Sequence, residues 1–283
     1  MAQLHLYLER HATRGMPGGS TQRPRGQRRV IRGEILYAVL SALFCVGLIY
    51  VIWEAAVLAR VLPQIVLPTP LQVLQTFRDE LASGDLLANA GVTLREALGG
   101  FVLAAAIAGV LGYLIAQVRP LELLVAPFIA ASQGVPAVAV APIVILLLGS
   151  GLWPKLVICA VVVVFPLLVA TVTGLRGIER DYRDVARVFG ASRLQMLRYV
   201  ELPLAAPVLL GGLKLGLTLS ITGAVVAEFV ASDAGLGFMV NTAINSFEVS
   251  TRYVALITLA VLSASMYGLV TLLERILQQW LDG

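Results

Sequence analysis

Charge is scarce in this chain of 283 residues: 13% are Asp, Glu, Lys or Arg, whereas 58% are apolar and mean hydropathy is +0.87. A soluble domain carries about 25% charged residues, so a chain this apolar would turn a large greasy surface to water. That excludes a soluble globular protein and points to a polytopic membrane protein. Cysteine is scarce too. Cys45 and Cys159 both lie in apolar runs, which excludes a disulfide framework and leaves them as packing residues. The two histidines, His5 and His11, sit near the N-terminus with no Cys/His partner nearby. That argues against zinc binding and against imidazole base catalysis. Neither G-x-x-x-x-G-K-[ST] nor H-E-x-x-H occurs. The chain is therefore expected to be no enzyme, to have no catalytic or metal-binding residue, and to hold no cofactor of its own. The net charge of +4 is expected to sort to one side of a membrane rather than to meet nucleic acid.

What is present is long apolar runs. A bilayer-spanning helix needs about 20 mainly apolar residues. Six segments qualify: roughly 35–58, 97–118, 123–148, 156–174, 206–230 and 253–273. They lack the period-2 alternation of barrel strands. Helices satisfy their backbone groups within lipid, so the expected class is all-α, with about six transmembrane helices. With the N-terminus in the cytoplasm, fifteen of the 21 Lys and Arg residues fall on inner segments, five fall outside and Lys214 lies within a span. Basic residues favour the cytoplasmic side, so both termini are expected inside.

Residues 1–33 are rich in Gly, Arg and Pro and read as a disordered basic cytoplasmic tail ahead of a transmembrane domain over 34–283. The apolar run that follows is too long for a signal-peptide core and is expected to remain as an anchor. Between the first two spans, Pro70, Leu71, Val73, Leu74, Phe77 and Leu81 have the spacing of a short amphipathic helix on the outer surface, with Thr69 as its cap. Gly212 and Gly216 allow close helix approach, which favours packing.

The segment over about 175–205 differs from its surroundings by its density of both charge signs. It predicts a helix over 180–189, a left-handed turn at Gly190, and a second helix over 192–200 capped by Ser192. Leu202-Pro203 is expected to break that helix before the fifth span. Val185, Ala186, Val188 and Phe189 would leave an apolar ridge in water, which marks a partner site better than a solvated loop does.

This segment resembles the cytoplasmic signature loop of ABC importer permeases, written EAA, three residues, G, nine residues, I, one residue, LP. Here Asp184-Val185-Ala186, Gly190, Val200 and Leu202-Pro203 keep that spacing, with Asp for Glu, Val for the first Ala and Val for Ile. The likeness runs from about Leu67 to Ile276. Gln133-Gly134-Val135-Pro136 and Ala141-Pro142 are similar to the nitrate, sulfonate and taurine group, as are Ala227-Glu228-Phe229 and Gly235-Leu236-Gly237-Phe238. Gly212-Leu213-Lys214, with the run that follows, looks more like the branch serving riboflavin and thiamine-type pyrimidine precursors.

The resemblance implies a type I importer permease in a bacterial inner membrane. It implies a dimer of ATP-binding subunits holding ATP and Mg, a second permease copy or paralogue, and an extracytoplasmic substrate-binding protein. Asp184, Val185, Ala186, Arg187, Phe189, Gly190, Ala191, Ser192, Leu202 and Pro203 would couple to the ATPase. Pro203 and Pro207 suit rigid joints, and Gly174 and Gly177 adjustable ones. Polar groups in or beside spans are the pathway candidates: Gln133 beside Pro136, Thr218, Ser220, Thr222 and Glu228. The alternatives stay open. The hydroxyls suit bonds to their own helices, Glu228 suits outer water, and Arg95 with Glu96 suits an interfacial pair. An autonomous secondary transporter would need a carboxylate near the midplane, whereas the span carboxylates here lie near predicted ends. The favoured solute is riboflavin or a thiamine-type pyrimidine; an organic sulfonate, taurine or nitrate is the alternative.

Overall fold

The computed structural model describes residues 27–63 and 65–281, and the expected tail therefore lies largely outside the described residues. Those residues form helices and connecting turns, with no strand among them. The chain divides into two units, Met1–Gln72 and Val73–Gly283.

In the first unit, helix α1 (Gln27–Leu58) covers the stretch expected as the first span, of which Phe44–Leu58 is a shorter apolar helix among the described residues. The indole N–H of Trp53 donates to the Pro68 carbonyl at 2.9 Å. Helix α2 (Pro70–Ser83) begins where its cap was expected. The Gln72 N–H donates to the Thr69 hydroxyl at 3.2 Å, and the Thr69 N–H donates to Gln72 Oε1 at 2.9 Å. That reciprocal pair satisfies two donors the helix start would otherwise leave open.

The second unit begins within α2 at Val73, and its α3 (Asp85–Gln117) is long and apolar enough to cross a membrane. The third expected span is not continuous. It is broken into α4 (Arg119–Gln133) and α5 (Ala137–Leu148), which meet at an angle of 100°. Pro136 stands at the break: proline disfavours helical backbone at the residue before it, and the chain restarts from an extended Pro136 at ψ 125°. Each half is short; at 1.5 Å per residue, α5 extends only about 18 Å.

Helix α6 (Leu152–Arg176) runs between α3 and the next long helix. The signature segment follows as α7 (Arg180–Val188) and α8 (Arg193–Met196). The expected break at Leu202-Pro203 does not occur. A π-helical turn, Leu197–Glu201, joins α8 to α9 (Leu202–Ala231) without interruption, so 193–231 is one helical run. The physical reason is the widened turn. The Leu202 N–H bonds to the Leu197 carbonyl, five residues back, which makes room for a Pro203 that lacks its own donor. Helix α10 (Leu236–Asn245) is short, and α11 (Val249–Leu281) closes the unit.

Lipid offers apolar side chains little reason to leave it, so packing here depends on close approach. Gly100 of α3 and Gly223 of α9 press on Cys159 of α6 from two sides. An added Cβ would lie 2.1 Å from Cys159 Cβ at Gly100 and 2.8 Å from Cys159 Cα at Gly223. Cys159 is fully buried, as its expected packing role requires. Gly212 and Gly216 meet Ala170 and Leu167 of α6 in the same manner. Ala104, Ala108, Val163 and Leu167 form the core between these helices.

Candidate functional site

The signature segment is built as a rigid hairpin. Helix α7 ends in a Schellman turn: the Ala191 N–H reaches the Ala186 carbonyl at 3.0 Å, and the Gly190 N–H reaches the Arg187 carbonyl at 2.9 Å. This closure needs left-handed backbone at Gly190, whose φ is +75°. Ser192 then caps α8 in a full capping box with Gln195, its N–H donating to Gln195 Oε1 at 2.9 Å. Ala186 turns inward against Met196, Val200 and Ala191. Phe189 is exposed, and Val188 and Leu194 more so, at 86% and 73%. The expected ridge thus loses Ala186 to the hairpin's own small core and gains Leu194. Arg187 pairs with Asp184 at 2.8 Å on the exposed face. Leu202 is exposed and Pro203 half-buried at the start of α9.

Arg183 ties this hairpin to the long helices. Its Nε donates to Oε1 of the buried Glu201 at 2.9 Å, and its other arm donates to the Leu175 carbonyl, near the end of α6, at 2.6 Å. Arg176 pairs with Glu122 of α4. Gly174 faces Ala205 and Val208 of α9 at packing distance, so that expected joint is a close helix contact. Gly177 caps α6 in ordinary right-handed backbone.

At the far end of the same helices lies a buried polar cluster. Lys155 of α6 donates to Glu96 of α3 at 2.8 Å and to Ser232 at 2.6 Å. Thr93 donates to Glu228 Oε1 at 2.7 Å and accepts from the Leu236 N–H at 2.8 Å. The Gly237 N–H donates to the other Glu228 oxygen, and the Gly235 N–H donates to Asn89 at 2.7 Å. Glu228 therefore orients the start of α10 on α3. It is 1% exposed, so the reading that it faces outer water does not hold. Glu96 does not form the expected interfacial pair with Arg95; its partner is Lys155.

A cavity of about 660 Å³ opens at the break between α4 and α5. Ser132, Val135, Phe165, Val169, Leu215 and Leu219 contribute to its wall, and no charged side chain among the described residues does. Residues 102–282 match the family described as the binding-protein-dependent transport system inner membrane component. The chain belongs to this family of ABC transporter permeases.

Relatives of this permease extend beyond that segment. It is 47% identical over 233 residues to the riboflavin transport system permease protein RibX of Chloroflexus aurantiacus, covering 82% of this chain and 87% of that protein. It is 31% identical over 248 residues to the putative aliphatic sulfonates transport permease protein SsuC of Bacillus subtilis, covering 88% and 90%. It is 28% identical over 245 residues to the formylaminopyrimidine transport permease protein ThiX of Halalkalibacterium halodurans, covering 86% and 97%. The fold is also that of a chain of the MetNI methionine ABC transporter solved in inward facing conformations, at a TM-score of 0.56 and 19% identity over 68% of this chain and 94% of that one.

The permease's other pathway candidates do not gather at one place. Pro136 is exposed at the break between α4 and α5, and Thr222 is exposed on α9. The side chain of Gln133 lies outside the described residues. Thr218 bonds to its own helix at the Lys214 carbonyl, 3.0 Å away, and the buried Ser220 does the same at the Leu217 carbonyl. Sequence reasoning missed four pairings: Arg183 with Glu201, Lys155 with Glu96, Lys214 of α9 with Glu274 of α11, and Thr93 with Glu228. For Lys155 and Lys214 the sequence showed that a partner was needed, because an ionisable group inside an apolar run needs one, but not which residue it was.

Proposed function

We propose that this permease couples to a separate ATP-binding subunit through α7 and imports riboflavin or a thiamine-type pyrimidine handed over by a substrate-binding protein. In this reading the signature end lies in the cytoplasm, as do both termini, and the far end meets the binding protein. The observation that carries the coupling is the hairpin itself. Two exposed apolar residues, Val188 and Leu194, sit on a turn closed by hydrogen bonds and clamped by Arg183 to the long helices. Such a ridge suits a groove on a partner.

ATP and Mg would be held by the partner, whose dimer closes when ATP is bound. A push on α7 would pass through Arg183 to Glu201 and Leu175, and so to α9 and α6 together. A second permease chain would complete the pathway between the two membrane halves. Packed helices respond to such a push by rotating as bodies.

The substrate reading is supported by the 47% identity to a riboflavin permease. It is also supported by the cavity at the α4–α5 break, which no charged side chain among the described residues lines. A sulfonate would call for a cation or a cluster of N–H donors along its path. Uptake of labelled riboflavin and of taurine, in cells carrying the permease with its binding protein and ATPase, tests the choice. Riboflavin uptake abolished by deleting the permease is the expected result. Taurine uptake with none for riboflavin or the pyrimidine would reverse the assignment.

A further inference from the structure

Five arginines gather at the signature end, where α3, α4, α6 and α7 end or begin. Arg119, Arg176, Arg180, Arg183 and Arg187 line two adjoining cavities, of about 380 and 250 Å³, which share Gln117, Arg180 and Arg183. Three of the five have acidic partners: Glu122 for Arg176, Glu201 for Arg183 and Asp184 for Arg187. Arg119 and Arg180 are exposed, and neither has an ion-pair partner among the described residues. Arg176 Nε is buried with no hydrogen-bond acceptor among them. Asp184, paired with Arg187, lines the larger cavity, whereas Glu179 and Asp181, which flank Arg180 in the chain, line neither. The groove therefore offers two uncompensated guanidinium groups and a spare N–H, which is the donor set that recognises a phosphate.

Its place in the fold selects the source of that phosphate. Arg119 is the first residue of α4, and Arg176 is the last residue of α6. Both are at the ends of membrane helices, where lipid headgroups lie. Leu114 and Val118, then Leu123 and Leu124, are exposed on the lengths of chain that adjoin Gln117 and Arg119, so apolar side chains are available beside the arginines. Basic pockets between membrane helices bind anionic headgroups for this reason.

We propose that this groove binds an anionic phospholipid, its headgroup phosphate held by Arg119 and Arg180 and its acyl chains lying along α3 and α4. The site rests on this end of the helices lying at a membrane surface and does not depend on coupling to an ATPase.

The test uses the full chain purified in a neutral detergent, with phosphatidylglycerol and phosphatidylcholine retention read by native mass spectrometry. The wild type should retain phosphatidylglycerol in preference. Each arginine near the headgroups contributes about fivefold in affinity, so Arg119→Gln with Arg180→Gln should weaken phosphatidylglycerol roughly thirtyfold and leave phosphatidylcholine unchanged. Arg119→Lys with Arg180→Lys keeps the charge and should retain most of the preference, which separates lipid binding from misfolding. Equal retention of the two lipids by the wild type would overturn the proposal, as would unchanged phosphatidylglycerol affinity in the Gln pair. Complete displacement by excess inorganic phosphate would assign the groove to a soluble anion instead. Substrate-stimulated ATP hydrolysis, read separately on the assembled complex, reports on the transport reading alone.

Discussion

Arg183 and Glu201 lie 18 residues apart and join the signature hairpin to the membrane helices through one hydrogen-bonded ion pair of 2.9 Å. Glu201 sits inside the π-helical turn that lets Pro203 enter α9 without a break. The device that links the lobe to the bundle is thus placed at the one point where the long helix departs from regular geometry. Removing Arg183 as Ala leaves a 2% exposed carboxylate without its cation. Breaking a buried pair on one side costs about 3–5 kcal/mol. A clear drop in melting temperature is expected for Arg183→Ala, with a smaller one for Glu201→Gln, which removes the buried charge. Equal melting temperatures for wild type and Arg183→Ala would refute the clamp.

Gly190 is open to solvent on its Cβ side, so its requirement is conformational. At φ +75° a side chain costs roughly 1–2 kcal/mol, and β-branching makes it worse. Gly190→Val is expected to insert and assemble normally in the membrane while substrate-stimulated ATP hydrolysis falls sharply. Gly190→Asn, which tolerates left-handed backbone, should retain most of it. Wild-type uptake by the Val variant would sink this account of the turn.

The far-end cluster holds two buried carboxylates, Glu96 and Glu228, around Lys155. Lys155→Met alone should destabilise the permease strongly, because the buried Glu96 loses the cation hydrogen-bonded to it. Adding Glu96→Gln to that variant should recover a large part of the loss. Thermal unfolding in detergent, carried out as a double-mutant cycle, reads the coupling. Additive effects of the two substitutions would contradict the pairing.

Gly223 approaches the Cys159 backbone too closely for a side chain. Overfilling a packed contact costs about 1–3 kcal/mol. Gly223→Val should lower the melting temperature and the yield of inserted protein, whereas Gly211→Val, with open space around its Cβ, should not. Comparable losses at both positions would show that helix propensity, not the contact with α6, sets the cost.

Much of this architecture was legible in the sequence. Hydropathy located the long helices, and the spacing from Asp184 to Pro203 located the signature hairpin, down to the turn at Gly190 and the cap at Ser192. Thr69 and Pro70 announced α2. Gly134 and Pro136 marked a place where the third span could break, but apolar composition, which does not respond to backbone geometry, still counted 123–148 as one run. Pro203 was read as a helix breaker because the sequence does not reveal a widened turn. The ion pairs escaped for a different reason. Lys155 and Glu96 are 59 residues apart and Lys214 and Glu274 are 60 apart, so only three-dimensional packing brings them together. Glu228 was recognised as costly to bury, but its acceptance of the Thr93 hydroxyl and the Gly237 N–H depends on the same packing.

The central claim, that a separate ATPase drives this permease through α7, is tested most directly by copurification. The cognate ATP-binding subunit should copurify with the wild-type permease and be lost from Val188→Asp/Leu194→Asp, while both permeases insert equally and melt alike. Undiminished copurification with the double variant would contradict the claim.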